Sequence, residues 1–395
     1  MKYDFETVLS RVNTGSTKWN SIYKKYKNIP NNIVPLSVAD MEFKNPPEIN
    51  EGLSEYLKTA IMGYTMGENG YYNAVINWQK RRHNWNIEKD WIIDYPGVVP
   101  ALFNIVKTLT NENEGVIIFT PVYYPFYSAI KSNNRNIVEC ELINNNGIYE
   151  IDFDDFIKKA KDSKNKLLIL CNPHNPVGRV WTKEELIKIG EICIENGIIV
   201  VSDEIHNDLI MPEYKHTVFA SISDEFAKNS IICTAPSKTF NLAGLSLSNI
   251  IIPNYDIRKN IIRGKRDSGI FHCNIAGYKA CEIAYNNCEE WLLQLIDVLN
   301  ENKIFVENYI KENMPEIKVT PMEGTYLMWL DFRKLFDDYN ELEKFMTEKA
   351  YVFADEGYIF GNGGKGFERI NIACPKSVLF DALERIKNAL NYKNI

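Results

Sequence analysis

A chain of 395 residues, 45% hydrophobic and 25% charged, is long enough for two domains sharing a cleft and is not of disordered composition. Its net charge of −7 argues against a nucleic-acid groove or an anionic membrane surface, since both need clustered Lys and Arg. The eight cysteines contain no C-x-x-C and the five histidines no metal-ligand spacing, so no metal is expected and a reducing compartment fits.

In chain order, the first fifty residues are rich in Asn, Lys and Pro and are expected to wrap against a smaller domain. No basic region followed by an apolar stretch opens the chain, and no apolar run reaches the roughly 18 residues a bilayer requires. A cytoplasmic protein with neither membrane nor nucleic acid as partner is the expectation. Pro96-Gly97-Val98-Val99-Pro100 leads into a helix starting near Ala101. Val116–Phe119, Ile137–Leu142, Lys166–Cys171, Ile198–Ser202 and Ile231–Thr234 are apolar, β-rich runs bounded by turn residues. Between two of them lies a helix, Thr182–Asn196, opened by the capping box Thr182-x-x-Glu185 and stopped by Gly197. Strand, helix and strand at this spacing predict an α/β fold with a mostly parallel sheet and helices on both faces.

Beyond about residue 275 the pattern becomes α+β. One long helix is predicted over Ala280–Asn313, ending near Pro315. Strands at Lys318–Thr320 and Tyr326–Asp331, a helix around Glu341–Glu348, a strand at Arg369–Ala373 and a last helix from Lys376 to Leu390 follow. The expected division is a large domain over residues 50–280 and a small one built from 1–49 and 281–395. Gly361-Asn-Gly363-Gly-Lys-Gly366 spells G-x-G-x-x-G, but a strand-like run follows it instead of a helix. A loop near a site is expected there rather than a nucleotide fingerprint.

In an open α/β sheet ligands sit beyond the carboxyl ends of the strands. Asp203-Glu-Ile-His206 follows one predicted strand, and Ala235-Pro-Ser237-Lys238 follows another. Asn172-Pro-His-Asn175-Pro and Thr120-Pro-Val-Tyr123 follow two more. Singly these residues are weak signals: Asp caps helices, Lys is usually solvated, Asn-Pro makes turns and Tyr packs cores. Together they supply what pyridoxal 5′-phosphate (PLP) requires. A carboxylate keeps the pyridine nitrogen protonated, a lysine forms the Schiff base, an amide meets the phenolate oxygen, an aromatic ring stacks, and a helix N-terminus takes the phosphate.

The chain resembles a fold-type I PLP-dependent enzyme of the aminotransferase class I/II superfamily, from about Thr17 to Leu390. Within it the resemblance is greatest to the cystathionine β-lyase (MalY/PatB-type) C–S lyases. The segments that carry this are Thr17-Lys-Trp19, Ser37-Val-Ala-Asp-Met-Glu-Phe43, Gly63-Tyr64, Asp203-Glu-Ile-His206, Ser237–Leu245 and Arg369-Ile-Asn371. The resemblance implies that Lys238 carries the cofactor and moves the Cα proton, that Asp203 pairs with the pyridinium, and that Asn175 meets the phenolate oxygen. It places Tyr123 on the ring, His206 and Ser237 about the cofactor, and the Val98 and Val99 N–H groups on its phosphate. Arg369 would grip the substrate carboxylate, with Ala39 and Asn175 beside it. Tyr64 would reach the phosphate of the other subunit of a homodimer with shared sites.

His206 stands where aminotransferases usually carry Tyr, Ser246 where they usually carry Arg, and Ala235 where a Ser is common. The first two tilt the implied activity towards β-elimination on L-cystathionine or a related cysteine S-conjugate. An aminotransferase, or a PLP-binding regulator with incidental lyase activity, are the alternatives.

Overall fold

A computed structural model describes residues 2–26 and 29–393. Seven strands form its main sheet: β1 (Ile92–Tyr95), β2 (Gly115–Thr120), β3 (Asn136–Glu141), β4 (Asn165–Cys171), β5 (Ile199–Asp203), β6 (Ser230–Thr234) and β7 (Ser248–Ile251). Their order is β1-β7-β6-β5-β4-β2-β3. β7 alone runs opposite to the other six strands. Every residue of β2 and β6 is buried, which is why these strands read as unbroken apolar runs instead of alternating ones. Leu168, Leu170, Val200 and Ile232 enter one apolar layer, while Ile169, Cys171, Val201 and Ile231 enter the layer on the opposite face.

The five strands expected from the sequence are present within one residue at each end. β1 and β7 escape a pattern search because each is four residues long and carries a polar residue that the tertiary structure satisfies. Asp94 of β1 accepts from Tyr278 Oη (2.7 Å) and pairs with Lys265 Nζ (3.3 Å), and Asn249 of β7 accepts from Tyr71 Oη (2.6 Å). The helix between β4 and β5 spans Lys183–Glu195. Thr182 Oγ1 accepts from Glu185 N (3.1 Å) while the Glu185 side chain accepts from Thr182 N (2.8 Å), and Gly197 ends it at φ +65°.

The single helix expected over Ala280–Asn313 is two helices, Ile275–Asn287 and Glu289–Asn313, joined at Cys288. The weak helix formers Asn286 and Asn287 precede the corner. The bend lets Tyr285 stack on Trp78 (4.8 Å between ring centroids) while Trp291 packs on Phe5 and Phe240. The helix expected near Glu341–Glu348 begins at Tyr339 and widens into a π-turn over Phe345–Ala350.

A second sheet is antiparallel: β8 (Lys318–Val319), β9 (Leu327–Asp331), β10 (Asp355–Glu356) and β11 (Phe367–Asn371), in the order β8-β9-β11-β10. The N-terminal segment packs beside it. Val34–Pro35 pairs in parallel with Val352–Phe353, and Lys25 Nζ meets Glu343 (2.8 Å) and Glu356 (3.3 Å). The Gly361–Gly366 segment folds into a short 3-10 turn and leads straight into β11, so no helix N-terminus exists there to receive a pyrophosphate. Among the described residues no helix is long and apolar enough to cross a membrane, and no cluster of His, Cys, Asp or Glu could hold a metal ion.

Candidate active site

The carboxyl ends of the parallel strands meet at one cavity of about 190 Å³. β5 ends on Asp203, and β6 runs through Ala235 into the short helix Pro236–Thr239 that carries Lys238. The Asn172–Gly178 turn after β4 brings Asn175, and the turn after β2 brings Tyr123. After β1, Gly97 takes φ +136°, a conformation open to glycine, and starts the helix Val98–Leu109 at the cavity wall. Val98, Val99, Ser237 and His206 complete the expected wall, and Ala39 closes it from the N-terminal segment. The Gly361–Gly366 segment, expected as a loop near the site, does not line this cavity.

Burial sets the electrostatics. It pushes the Asp203 carboxyl up to about 7, opposed by the Ile205 N–H (3.2 Å) and by the charge of Lys238. The Lys238 ammonium is brought down to about 8, by burial first and then by Arg369, and its Nζ donates to the Ala39 carbonyl (2.7 Å). Burial raises the Tyr123 phenol and lowers His206 far below the usual imidazole range, so both are neutral. His206 packs edge-on against Tyr326 (5.7 Å), whose hydroxyl also donates to Ala39 O (2.9 Å).

Arg369, on β11, sits one residue outside the cavity wall: its Nη1 donates to Asn175 Oδ1 (2.8 Å). Its Nε and Nη2 pair with Asp355, and its guanidinium lies over the Phe360 ring (4.7 Å). Two further carboxylates hold the site from behind. Asp208 accepts from Thr239 Oγ1 (2.8 Å), next to Lys238, and pairs with His83 Nε2 (3.0 Å). Glu204, next to Asp203, accepts from Phe219 N (2.9 Å) and pairs with His216 Nε2 (2.9 Å). These pairs border a larger cavity of about 670 Å³. There His83 and His216 are engaged by Asp208 and Glu204.

Tyr64 is not in this cavity. It is 99% exposed and tilted against His272, among the exposed side chains of Ile61, Met62, Met66 and Phe271. Ser246 and Ala243 face the cavity near the helix N-terminus, and Lys238 is the only cation that lines it among the described residues.

The donor set fits PLP. A buried carboxylate that resists ionisation wants a protonated partner such as a pyridinium. A buried lysine held near neutrality suits a Schiff base, and the N–H groups at a helix start suit a phosphate. The sequence model of the aminotransferase class I and II family matches residues 31–386. The chain belongs to that family. Cystathionine β-lyase PatB of Bacillus subtilis is 40% identical over 98% of this chain and 100% of its own. The PLP-containing crystal structure of cystalysin from Treponema denticola superposes with a TM-score of 0.97 at 52% identity, covering 99% of each chain. The PLP-bound C–S lyase of Staphylococcus hominis does so at 0.91 and 32%, covering 99% of this chain and 98% of that one. This family member therefore carries the fold-type I architecture expected from its sequence, with a large, mostly parallel sheet.

Two residues at the site, Asp355 and Tyr326, carry no signal in the sequence. Asp355 lies in a two-residue strand, and Tyr326 looks like one more core aromatic at a strand start. Only the pairing of β10 with β11 and the approach of Ala39 bring them to Arg369 and Lys238.

Proposed function

We propose that this chain is a PLP-dependent C–S β-lyase. It cleaves L-cystathionine or a related cysteine S-conjugate to a thiol, pyruvate and ammonia. The observation that carries the reading is the buried pair of Asp203 and Lys238 facing one small cavity at the strand ends. The full-length likeness to proteins named as cystathionine β-lyase and C–S lyase supports the choice of reaction. PLP, when bound, withdraws electron density from the substrate Cα. Lys238 would hold it, Asp203 would keep its ring nitrogen protonated, and Asn175 would meet its phenolate oxygen. Tyr123 would stack on its ring, with His206 and Ser237 beside it and the Val98 and Val99 N–H groups on its phosphate.

Lys238, brought near neutrality by burial, takes the proton from Cα. Arg369 holds the substrate carboxylate, with Asn175 and Ala39 at its side, so that the Cα–H bond faces the lysine. The Cβ–S bond then breaks with its electron pair on sulfur, which leaves as a thiol once protonated. The remaining three-carbon enamine takes up water, giving pyruvate and ammonia.

Two structural proposals accompany this reading. The apolar patch around Tyr64 is the contact of a homodimer, through which each Tyr64 reaches the partner's phosphate end. Residues 50–280 form the large domain, and 1–49 with 281–395 the small one. The test of the activity is incubation with L-cystathionine and PLP, with and without a keto acid. Pyruvate without any keto acid is the expected result. An absolute keto-acid requirement would make the protein an aminotransferase instead.

A further inference from the structure

We propose that Asp355 is a positioning residue that sets two parts of the site at once: the Arg369 guanidinium and, through Val38, the Ala39 carbonyl that receives Lys238. The proposal rests on the assignment of Arg369 to the substrate carboxylate made above.

Asp355 lies directly opposite Arg369 across the β10–β11 pair, so the two side chains share one face of the sheet. A single carboxylate oxygen, Oδ2, accepts from Arg369 Nε (3.2 Å), from Arg369 Nη2 and from the Val38 N–H (3.0 Å). With Nη1 donating to Asn175, three of the five guanidinium N–H groups are committed to the protein. One N–H on each terminal nitrogen is left, the pair that an incoming carboxylate takes end-on. The Phe360 ring beneath the guanidinium fixes its plane, and Asp355 fixes its rotation within that plane.

The second arm runs through an unusual backbone. Val38 has φ +58°, a left-handed conformation that a β-branched side chain strongly disfavours. It is held there from both sides. Asp355 takes its N–H, and its carbonyl accepts from Asn371 Nδ2 (2.8 Å) and from Asp40 N (3.0 Å). The sign of φ at Val38 decides where the next peptide points. In this setting the Ala39 carbonyl faces inward and accepts from both Lys238 Nζ (2.7 Å) and Tyr326 Oη (2.9 Å). Asp355 therefore ties the carboxylate clamp to the acceptor that steadies Lys238 whenever its amine is free.

Four variants test this: Asp355→Ala, Asp355→Asn, Val38→Pro and Val38→Gly, with Arg369→Ala as the control for the clamp. Two quantities are measured. One is KM against kcat for pyruvate formation from L-cystathionine. The other is the pH profile of acetic-anhydride labelling of Lys238 in the cofactor-free protein, read by mass spectrometry. Asp355→Ala is expected to raise KM by about ten-fold or more, the loss of charge-assisted hydrogen bonds, with a smaller change in kcat. It also shifts Lys238 labelling to lower pH, because the ammonium loses its acceptor. Asp355→Asn, which keeps an acceptor in place, recovers most of both. Val38→Pro removes the N–H and forbids positive φ, so it shifts the labelling profile although Arg369 keeps its own pair with Asp355. Val38→Gly keeps the N–H and takes positive φ freely, so both readouts are retained.

If Arg369→Ala leaves KM unaltered, the clamp assignment itself fails. If Arg369→Ala raises KM while Asp355→Ala does not, the clamp stands and the positioning role of Asp355 is overturned. If neither Asp355→Ala nor Val38→Pro moves the labelling profile, the Val38 arm is overturned.

Discussion

The cost of keeping Asp203 ionised in a buried cavity should be measurable as stability in the cofactor-free protein. Burial raises this carboxyl from 3.8 to about 7, roughly three pH units, and each unit corresponds to about 1.4 kcal/mol. The folded state thus binds the proton more tightly than the unfolded chain does. Below about pH 4 both states are protonated and nothing is lost. As pH rises through the interval between the two values, the folded state is progressively disfavoured, by about 4 kcal/mol once pH exceeds 7. Asp203→Asn removes the titration while keeping the shape. Urea unfolding of both cofactor-free proteins at pH 5 and pH 8 should show the variant more stable at each. The gap should widen by about 2 to 3 kcal/mol between them. Lys238 titrates near 8 in the same cavity and is coupled to Asp203, so the gap between pH 5 and pH 8 reports the pair together. PLP should reverse the order, stabilising wild type more than Asp203→Asn, since only the carboxylate pairs with a pyridinium. Equal stabilities at both pH values would refute the claim that Asp203 is held in a low-dielectric site awaiting a cationic partner.

The remaining predictions concern the cofactor, the substrate and the assembly. Wild-type protein should be yellow with PLP, and Lys238→Ala should lose the covalent adduct, checked by borohydride reduction and mass spectrometry. Arg369→Ala should raise KM by ten-fold or more while PLP affinity, followed by absorbance, is little changed. Tyr64→Phe should raise the PLP dissociation constant by the worth of one charge-assisted hydrogen bond, on the order of 1.5–3 kcal/mol. Mixing Tyr64→Phe with Lys238→Ala subunits should partly restore activity, because in a mixed dimer one site carries both defects and the other neither. Subunit exchange without recovery would place Tyr64 in the site of its own chain or outside the sites.

The parts legible in the sequence are those written in local, unbroken patterns. β2, β4, β5 and β6 are interior strands buried on both faces, so their apolar runs stand out, and the rule that ligands collect at strand ends then points to Asp203, Lys238, Asn175 and Tyr123. The Thr182–Glu185 capping box is equally local and is found with both of its hydrogen bonds. β1 and β7 were not legible, because Asp94 and Asn249 interrupt runs of four and are satisfied by Tyr278 and Tyr71, more than 170 positions away along the chain. The corner at Cys288 is likewise a tertiary effect, since helical periodicity continues through it while Tyr285 and Trp291 turn to different partners.

The site divides along the same line, and its phosphate end shows why. Residues that act through their own position after a strand can be named from sequence, whereas residues that act through a partner cannot. Ser246 removes a cation expected from the wider family, and no other Arg or Lys beyond Lys238 takes its place along the described cavity wall. What the wall offers instead is the start of the Val98–Leu109 helix, the hydroxyls of Ser237 and Ser246, and an opening that Tyr64 of the same chain does not fill. A doubly charged phosphate held without a guanidinium must draw on oriented N–H groups and hydroxyls. These are worth most when water is excluded, and on this face a second subunit would exclude it. In the proposed dimer, the exposed patch around Tyr64 would make up for the missing arginine. Affinity for PLP should depend on subunit association more steeply here than in relatives that keep the arginine, and dilution below the dimer dissociation constant should release cofactor. Retention of PLP by isolated monomers would show that the helix N-terminus and the two serines suffice alone.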